Sequence, residues 1–408
     1  MNTCTLPLRE LYQIRAGRVN RESAGWQSFD ASGNEMLTWK SYLRSKSRNP
    51  LYLWRMVFTI LGVGVGAGLL ADALVSFDEP AESRQLDASR KMASEFDQLA
   101  ASGKWTELWW RVPETYAWRA STTGPLVLAI VAGLCWLAFS LQAAEVNHGE
   151  RGRLAACLIA VGLGVLSIWP TMFLIYWQER AWNLHDSIEL ANGLRYNILG
   201  VGLREEAAKL ACLLPLMPWL VSRRDELGAL VASACVGLGF AVEENCNYFF
   251  SSRGTDVLGR LLTANPFHMA LTGLVGLALY RALLWPRQWA PQFVATFGVA
   301  VLAHGVYDAF IVIPALQEYA MAGTIVFALV IYQFFHELRG LRSGRRDTVS
   351  LTATFLAGVS LVTAVTFVYL SAVVGSRAAF DMLVMGVAGS AVMVYLFLRE
   401  MPETMVSV

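Results

Sequence analysis

Runs of about 20 apolar residues, the length that crosses a bilayer as a helix, recur along most of this chain. They fall at 55–77, 124–144, 154–177, 205–221 with an upstream extension, 227–250, 260–284, 291–313, 320–337, 349–373 and 379–398. Inside hydrocarbon a backbone amide finds no water, so each run must satisfy its own hydrogen bonds, which a helix does. The expected fold is all-α: a polytopic membrane protein with about ten transmembrane helices. Composition agrees, since 16% of the residues are charged against about 25% in soluble domains. Lys plus Arg (33) nearly balance Asp plus Glu (32), so no basic field is available and nucleic acid is not an expected partner. The six cysteines are scattered, with no C-x-x-C, which argues against a disulfide framework or a thiolate zinc site. The first apolar run begins near Arg55, too far in for the short apolar region of a signal peptide, so insertion is expected to rely on the spans.

Lys and Arg beside spans favour the cytoplasm. Lys40, Arg44, Lys46 and Arg48 precede the first span and place the N-terminus inside. Alternation then puts Arg151 and Arg153, Arg223 and Arg224, Arg281 and Arg287, and Arg339, Arg342, Arg345 and Arg346 on the same side, and an even span count returns the C-terminus to the cytoplasm. Residues 1–50 read as a polar cytoplasmic extension and 51–400 as the membrane domain. Between the first two spans, 78–123 reads as an outer loop. In it Trp105, Leu108, Trp109 and Val112 recur at i, i+3, i+4 and i+7, the pattern of an amphipathic helix that lies on the outer interface or packs on the ends of the spans.

An ionisable side chain at membrane depth costs about 2.5–3.5 kcal/mol or more and is a functional candidate by default. Four groups occur here. Glu205 and Glu206 lie in REEAAK with Lys209 one turn on, where the lysine can partly neutralise the pair. Glu243, Glu244, Asn245, Asn247 and Tyr248 interrupt an apolar run. His268 stands in NPFHMALTGLVG, whose glycines admit close helix approach. His304 and Asp308 are four apart in LAHGVYDAF, so the carboxylate can orient the imidazole. Counted from charges at the cytoplasmic span ends, Glu205, Glu244, His268 and His304 each lie about 17–19 residues in, roughly 25–29 Å along a helix. Each group alone has a structural explanation: a hydrogen-bonded core histidine, a charge favoured at a helix start, or a polar clamp. Four at matched depth point instead to one polar site in the outer half of the membrane.

A carboxylate in such a site can act as general base on water, and a histidine can donate to an oxyanion or to a leaving amine. That suits peptide-bond hydrolysis without a covalent intermediate. The same Glu and His residues could hold zinc, although H-E-x-x-H is absent.

At these residues the chain resembles the PrsW family of polytopic membrane proteases, relatives of the type II CAAX prenyl endopeptidase group. The likeness runs from Glu205 to Asp308 and rests on EEAAK, EENCNY, HMALTGLVG and HGVYD, within a core placed at 200–312. It implies an intramembrane endopeptidase in which Glu205 and Glu206 include the water-activating base, Glu205 being favoured. His268 and His304 then stabilise the transition state, and Lys209, Glu243, Glu244, Asn245, Tyr248 and Asp308 support them. Members of the group have been described as metallo- and as glutamic-type proteases. The missing H-E-x-x-H favours the glutamic type with no cofactor, zinc being the alternative. Asp308 stands where the CAAX relatives often carry Asn, and Lys209 where they carry an Arg one residue later, so prenyl-protein processing is not expected. The resemblance implies a membrane-anchored protein substrate, such as an anti-sigma factor cut on its outer side, and a bacterial cytoplasmic (inner) membrane location. A proton-coupled transporter using the same groups, or a catalytically silent scaffold, would be the competing functions.

Overall fold

A computed structural model of the chain describes residues 39–74, 79–146, 151–342 and 349–401. Most of the expected N-terminal extension, Arg345, Arg346 and Cys4 lie outside the described residues. The chain divides at Lys46 into a short N-terminal unit, which holds α1 (Trp39–Lys46), and a main unit beginning at Ser47. Every regular element of the main unit among the described residues is helical.

Its first span is α2 (Pro50–Leu74). Three helices follow: α3 (Glu79–Ala101), α4 (Trp105–Arg111) and α5 (Glu114–Ser121). The membrane helices resume with α6 (Thr123–Ala143), α7 (Arg151–Leu166) and α8 (Ile168–Trp182). The next stretch is broken into α9 (Leu190–Arg195), a π-helical segment (Tyr196–Gly202), α10 (Leu203–Leu213), a 3-10 turn (Leu214–Leu216) and α11 (Met217–Arg223). After it come α12 (Glu226–Ser251), α13 (Val257–Leu262), α14 (Ala264–Leu284), α15 (Pro286–Val312), α16 (Pro314–Gln317), α17 (Ala320–Leu341), α18 (Leu351–Val374) and α19 (Ser376–Glu400).

Among the described residues nine helical stretches are long and apolar enough to cross a membrane. They account for every expected span except the irregular fourth, which is helical but interrupted. Pro215 and Pro218 remove backbone donors there and tighten the turn between α10 and α11. The π segment just before the glutamates admits an extra residue per turn, which rotates everything after it by about 100° relative to an unbroken α-helix.

Helix α12 is the hub. Its apolar window is 89% buried, against 11% for α2 and for α19, and it packs against α14, α7 and α6. Apolar helices gain little from hydrophobicity inside lipid, so close approach at small residues drives the packing. A Cβ at Gly237 would collide with the backbone of His268, and one at Gly239 with that of Val161. Asp225 caps α12 by accepting from the Gly228 amide (3.0 Å) and accepts from Nε and Nη2 along one edge of the Arg153 guanidinium (2.6 and 2.9 Å).

Ion pairs gather several helix ends on one face. Arg153 reaches Asp225, Arg281 bridges Glu226 (3.0 Å) and Glu337 (3.1 Å), and Arg339 meets Glu400 (3.1 Å). These are ends that the charge alternation assigns to a common side. The segment between the first two spans packs rather than floats. Leu108 and Val112 are fully buried, Phe96, Leu99 and Leu108 cluster with Tyr176 of α8, and Trp109 meets Trp169 at a tilt and Phe173 edge-on. Of the two placements open to the Trp-rich helix, contact with the spans is the one adopted.

Candidate active site

The site is assembled from α10, α12, α14 and α15, all brought together by small-residue contacts. Gly237 lets α12 lie on the backbone of α14 at His268. Gly202 and Gly305 do the same between the π segment and α15, because a Cβ at Gly202 would strike the Val301 carbonyl and one at Gly305 the Asn197 backbone. The glutamates of α10 are thereby pressed against His304.

Lys209 is the hub of the charges. It is fully buried, and its Nζ donates to Glu206 Oε1 (2.9 Å), contacts His268 Nδ1 (2.8 Å), lies 3.6 Å from Glu205 Oε2 and sits 3.9 Å above the Phe240 ring. Glu206 Oε1 also accepts from His304 Nδ1 (2.9 Å). That bond fixes the His304 tautomer and turns Nε2 toward Glu205 Oε2 (3.6 Å) and Asp308 Oδ2 (3.4 Å). On the far side His268 Nε2 meets Glu244 Oε2 (3.1 Å). The same carboxylate oxygen accepts from Arg260 Nη2 (2.7 Å). The two imidazoles stand 5.1 Å apart, edge to face.

A cavity of about 720 Å³ opens on one side of this network, and Glu205, Glu244, Tyr248, His268, His304 and Asp308 line it. Glu206 and Lys209 stand behind that wall, so the adjacent glutamates have different positions: Glu205 faces the cavity and Glu206 holds His304. Asn245 is also behind the wall, bonded to Asn265 (2.6 Å) and to Arg260. Glu243 points the other way along α12 and pairs with Arg119 of α5. Of the ten residues singled out from sequence, six thus line the cavity, three brace it and Glu243 lies apart.

Arg260 was not singled out from the sequence. It begins an apolar run and resembles a span-flanking charge, yet it ties Glu244, Asn245 and the Tyr248 ring (3.6 Å) together. A basic residue five positions before the buried asparagine of NPFH was the available signal.

Residues 152–335 match the profile described as PrsW family intramembrane metalloprotease. Over that stretch, a little under half of the chain, the sequence is similar to the PrsW family. No curated protein and no solved structure matches it. The PrsW match spans all four helices of the site and carries intramembrane proteolysis as the general activity, with a protein substrate and a multi-pass membrane location.

The metal implied by the family description can be tested against the side chains. Glu205, His268 and His304 each offer a ligand atom, all within 4.8 Å of one another, and all three are buried. Glu205 Oε2 is a buried atom with no hydrogen-bond partner. One carboxylate and two imidazoles are a recognised zinc donor set that leaves a position open, and the Glu206 bond to His304 Nδ1 is the carboxylate support such ligands use. The residues fit a divalent ion. The sequence expectation of a metal-free site rested on the missing H-E-x-x-H, but these donors come from three helices and need no such spacing.

Proposed function

We propose that this chain is an intramembrane endopeptidase that hydrolyses a peptide bond of a membrane-anchored protein, with Glu205, His268 and His304 holding a divalent metal ion. The convergence of these three donors on the wall of one cavity is the observation that carries the reading. Bound there, the ion would polarise the scissile carbonyl and make water acidic enough to attack at neutral pH.

The other roles belong to the chain itself. Glu206 orients His304, and Lys209 balances the carboxylates on α10. Glu244, held by Arg260, is placed to receive a proton from water and pass it to the departing amine. The contact between Lys209 Nζ and His268 Nδ1 carries one shared proton. On Nζ it leaves Nε2–H donating to Glu244; on Nδ1, with the Nε2 proton passed to Glu244, it would free the Nε2 lone pair for a metal. The first arrangement favours a second reading, in which Glu205 activates water with no metal and His268 acts as donor.

The bond cut lies in the half of the membrane domain away from the ion-paired face, since Glu244 is about 27 Å along α12 from Glu226. With that face cytoplasmic, cleavage is near the outer side, as suits an anchored regulator such as an anti-sigma factor in a bacterial inner membrane. Membrane-protein fragments from cells carrying the wild type are compared with those from cells carrying Glu205→Gln, then reproduced with purified chain. A fragment that needs Glu205, disappears in chelator and returns with zinc is the expected result. Persistence in chelator selects the metal-free reading, and identical fragments with both proteins refute proteolysis at this site.

A further inference from the structure

The catalytic cavity does not close on the helices of the PrsW match. Its far wall is built by α19, which lies beyond residue 335, through Met382, Leu383, Gly386 and Ser390. Helix α19 is fastened at its ends. Ala379 is buried against α18, Phe397 is buried among Trp136, Phe327 and Phe355, and Arg339 grips Glu400. Between Ala379 and Phe397 only Ser390 is buried. The stretch 384–389 in the middle of the helix is exposed, while Leu383, Met393 and Val394 on either side keep contact with the bundle.

Opposite it, α13 presents Leu258 and Gly259 to the same cavity. A Cβ added at Gly386 or at Gly259 would meet nothing within 4 Å. The two glycines thus border an open seam rather than a tight packing contact. Beyond the seam lies an apolar cavity of about 410 Å³ between α2, α18 and α19, and Leu258 and Ser390 line both spaces. The path runs from an apolar pocket at the bundle's outer helices to Arg260, Glu244 and the site.

We propose that the α13–α19 seam is the groove that admits the apolar membrane-spanning segment of the protein substrate. This rests on the peptidase reading of the cavity. The polarity gradient selects the occupant. A peptide pulled out of helical form inside a bilayer has bare amides and carbonyls that need partners, and the inner end supplies Asn197, Tyr248, Arg260 and Thr263. A lipid acyl chain would fit the apolar end and leave those polar groups unmatched.

The full chain carrying Glu205→Gln is reconstituted in phosphatidylcholine vesicles with a Leu/Ala peptide of about 20 residues that bears a central benzophenone, and photoadducts are mapped by mass spectrometry. Adducts should concentrate on Leu383 and Leu258 over outward-facing Val384 and Met321, which are 47% and 73% exposed. Gly386→Trp or Gly259→Trp should lower the groove adducts about tenfold by filling the open seam with an indole, while Gly386→Ala leaves them unchanged. Adducts spread evenly over lipid-facing residues, or indifferent to both tryptophans, overturn the proposal and assign the seam to lipid. Because the variant is inactive by design, the two readings separate. Groove adducts without cleavage by wild type in any membrane remove the peptidase, and cleavage without groove adducts removes the groove.

Discussion

Replacing Lys209 by Met tests whether the buried charges hold the site together. The ammonium lies 2.9 Å from Glu206 and 3.6 Å from Glu205. At an effective dielectric of about 20 these contacts are worth roughly 6 and 5 kcal/mol of gross attraction. Desolvation of an ammonium with no exposed surface cancels much of that, and losing one partner of a buried ion pair costs about 3–5 kcal/mol net. Lys209→Met should therefore destabilise the folded chain by about that amount. Most of the loss comes from Glu206 being left charged and deprived of its cation. Glu206→Gln keeps an acceptor for His304 Nδ1 and removes the charge, so the double variant should recover roughly half of the loss. The assay is denaturant unfolding in detergent for the wild type, both single variants and the double, read as a thermodynamic cycle. Penalties that add to within about 0.5 kcal/mol would refute the claim that the pair is coupled. So would a Lys209→Met protein as stable as wild type.

Other expectations follow from the same geometry. Glu205→Gln should cut turnover by about 10²–10⁴ while the chain still folds, because Glu205 Oε2 makes no hydrogen bond to lose, with the lost Lys209 attraction read as a lower unfolding midpoint. Gly237→Val should prevent α12 from lying on His268 and cost about 1–3 kcal/mol by overpacking, read as a lower yield of folded protein in detergent. Arg260→Gln should leave the fold in place but free Glu244 from its cation, with slower cleavage of a peptide substrate than Arg260→Lys, which keeps the charge.

The sequence determined the solvent of this protein, its helical class and the four polar segments. Runs of apolar residues admit one backbone solution in a bilayer, so the spans could be read one by one. Glu205, Glu244, His268 and His304 stood out because charge at that depth is costly. The equal axial distances from the charged span ends placed them at one level. Axial distance says nothing about azimuth. Only the packed structure decided that Glu205 faces the cavity while Glu206 turns behind it, because the π segment sets the rotation of α10 and glycine contacts set its neighbours. The same holds for Glu243 and Glu244, adjacent in sequence and turned about 100° apart around α12, one paired with Arg119 and the other with His268 and Arg260. Arg260's role and the wall built by α19 were invisible in the chain for a common reason. Each depends on contacts between residues far apart in sequence, brought within a few ångströms by helix packing that no local pattern encodes.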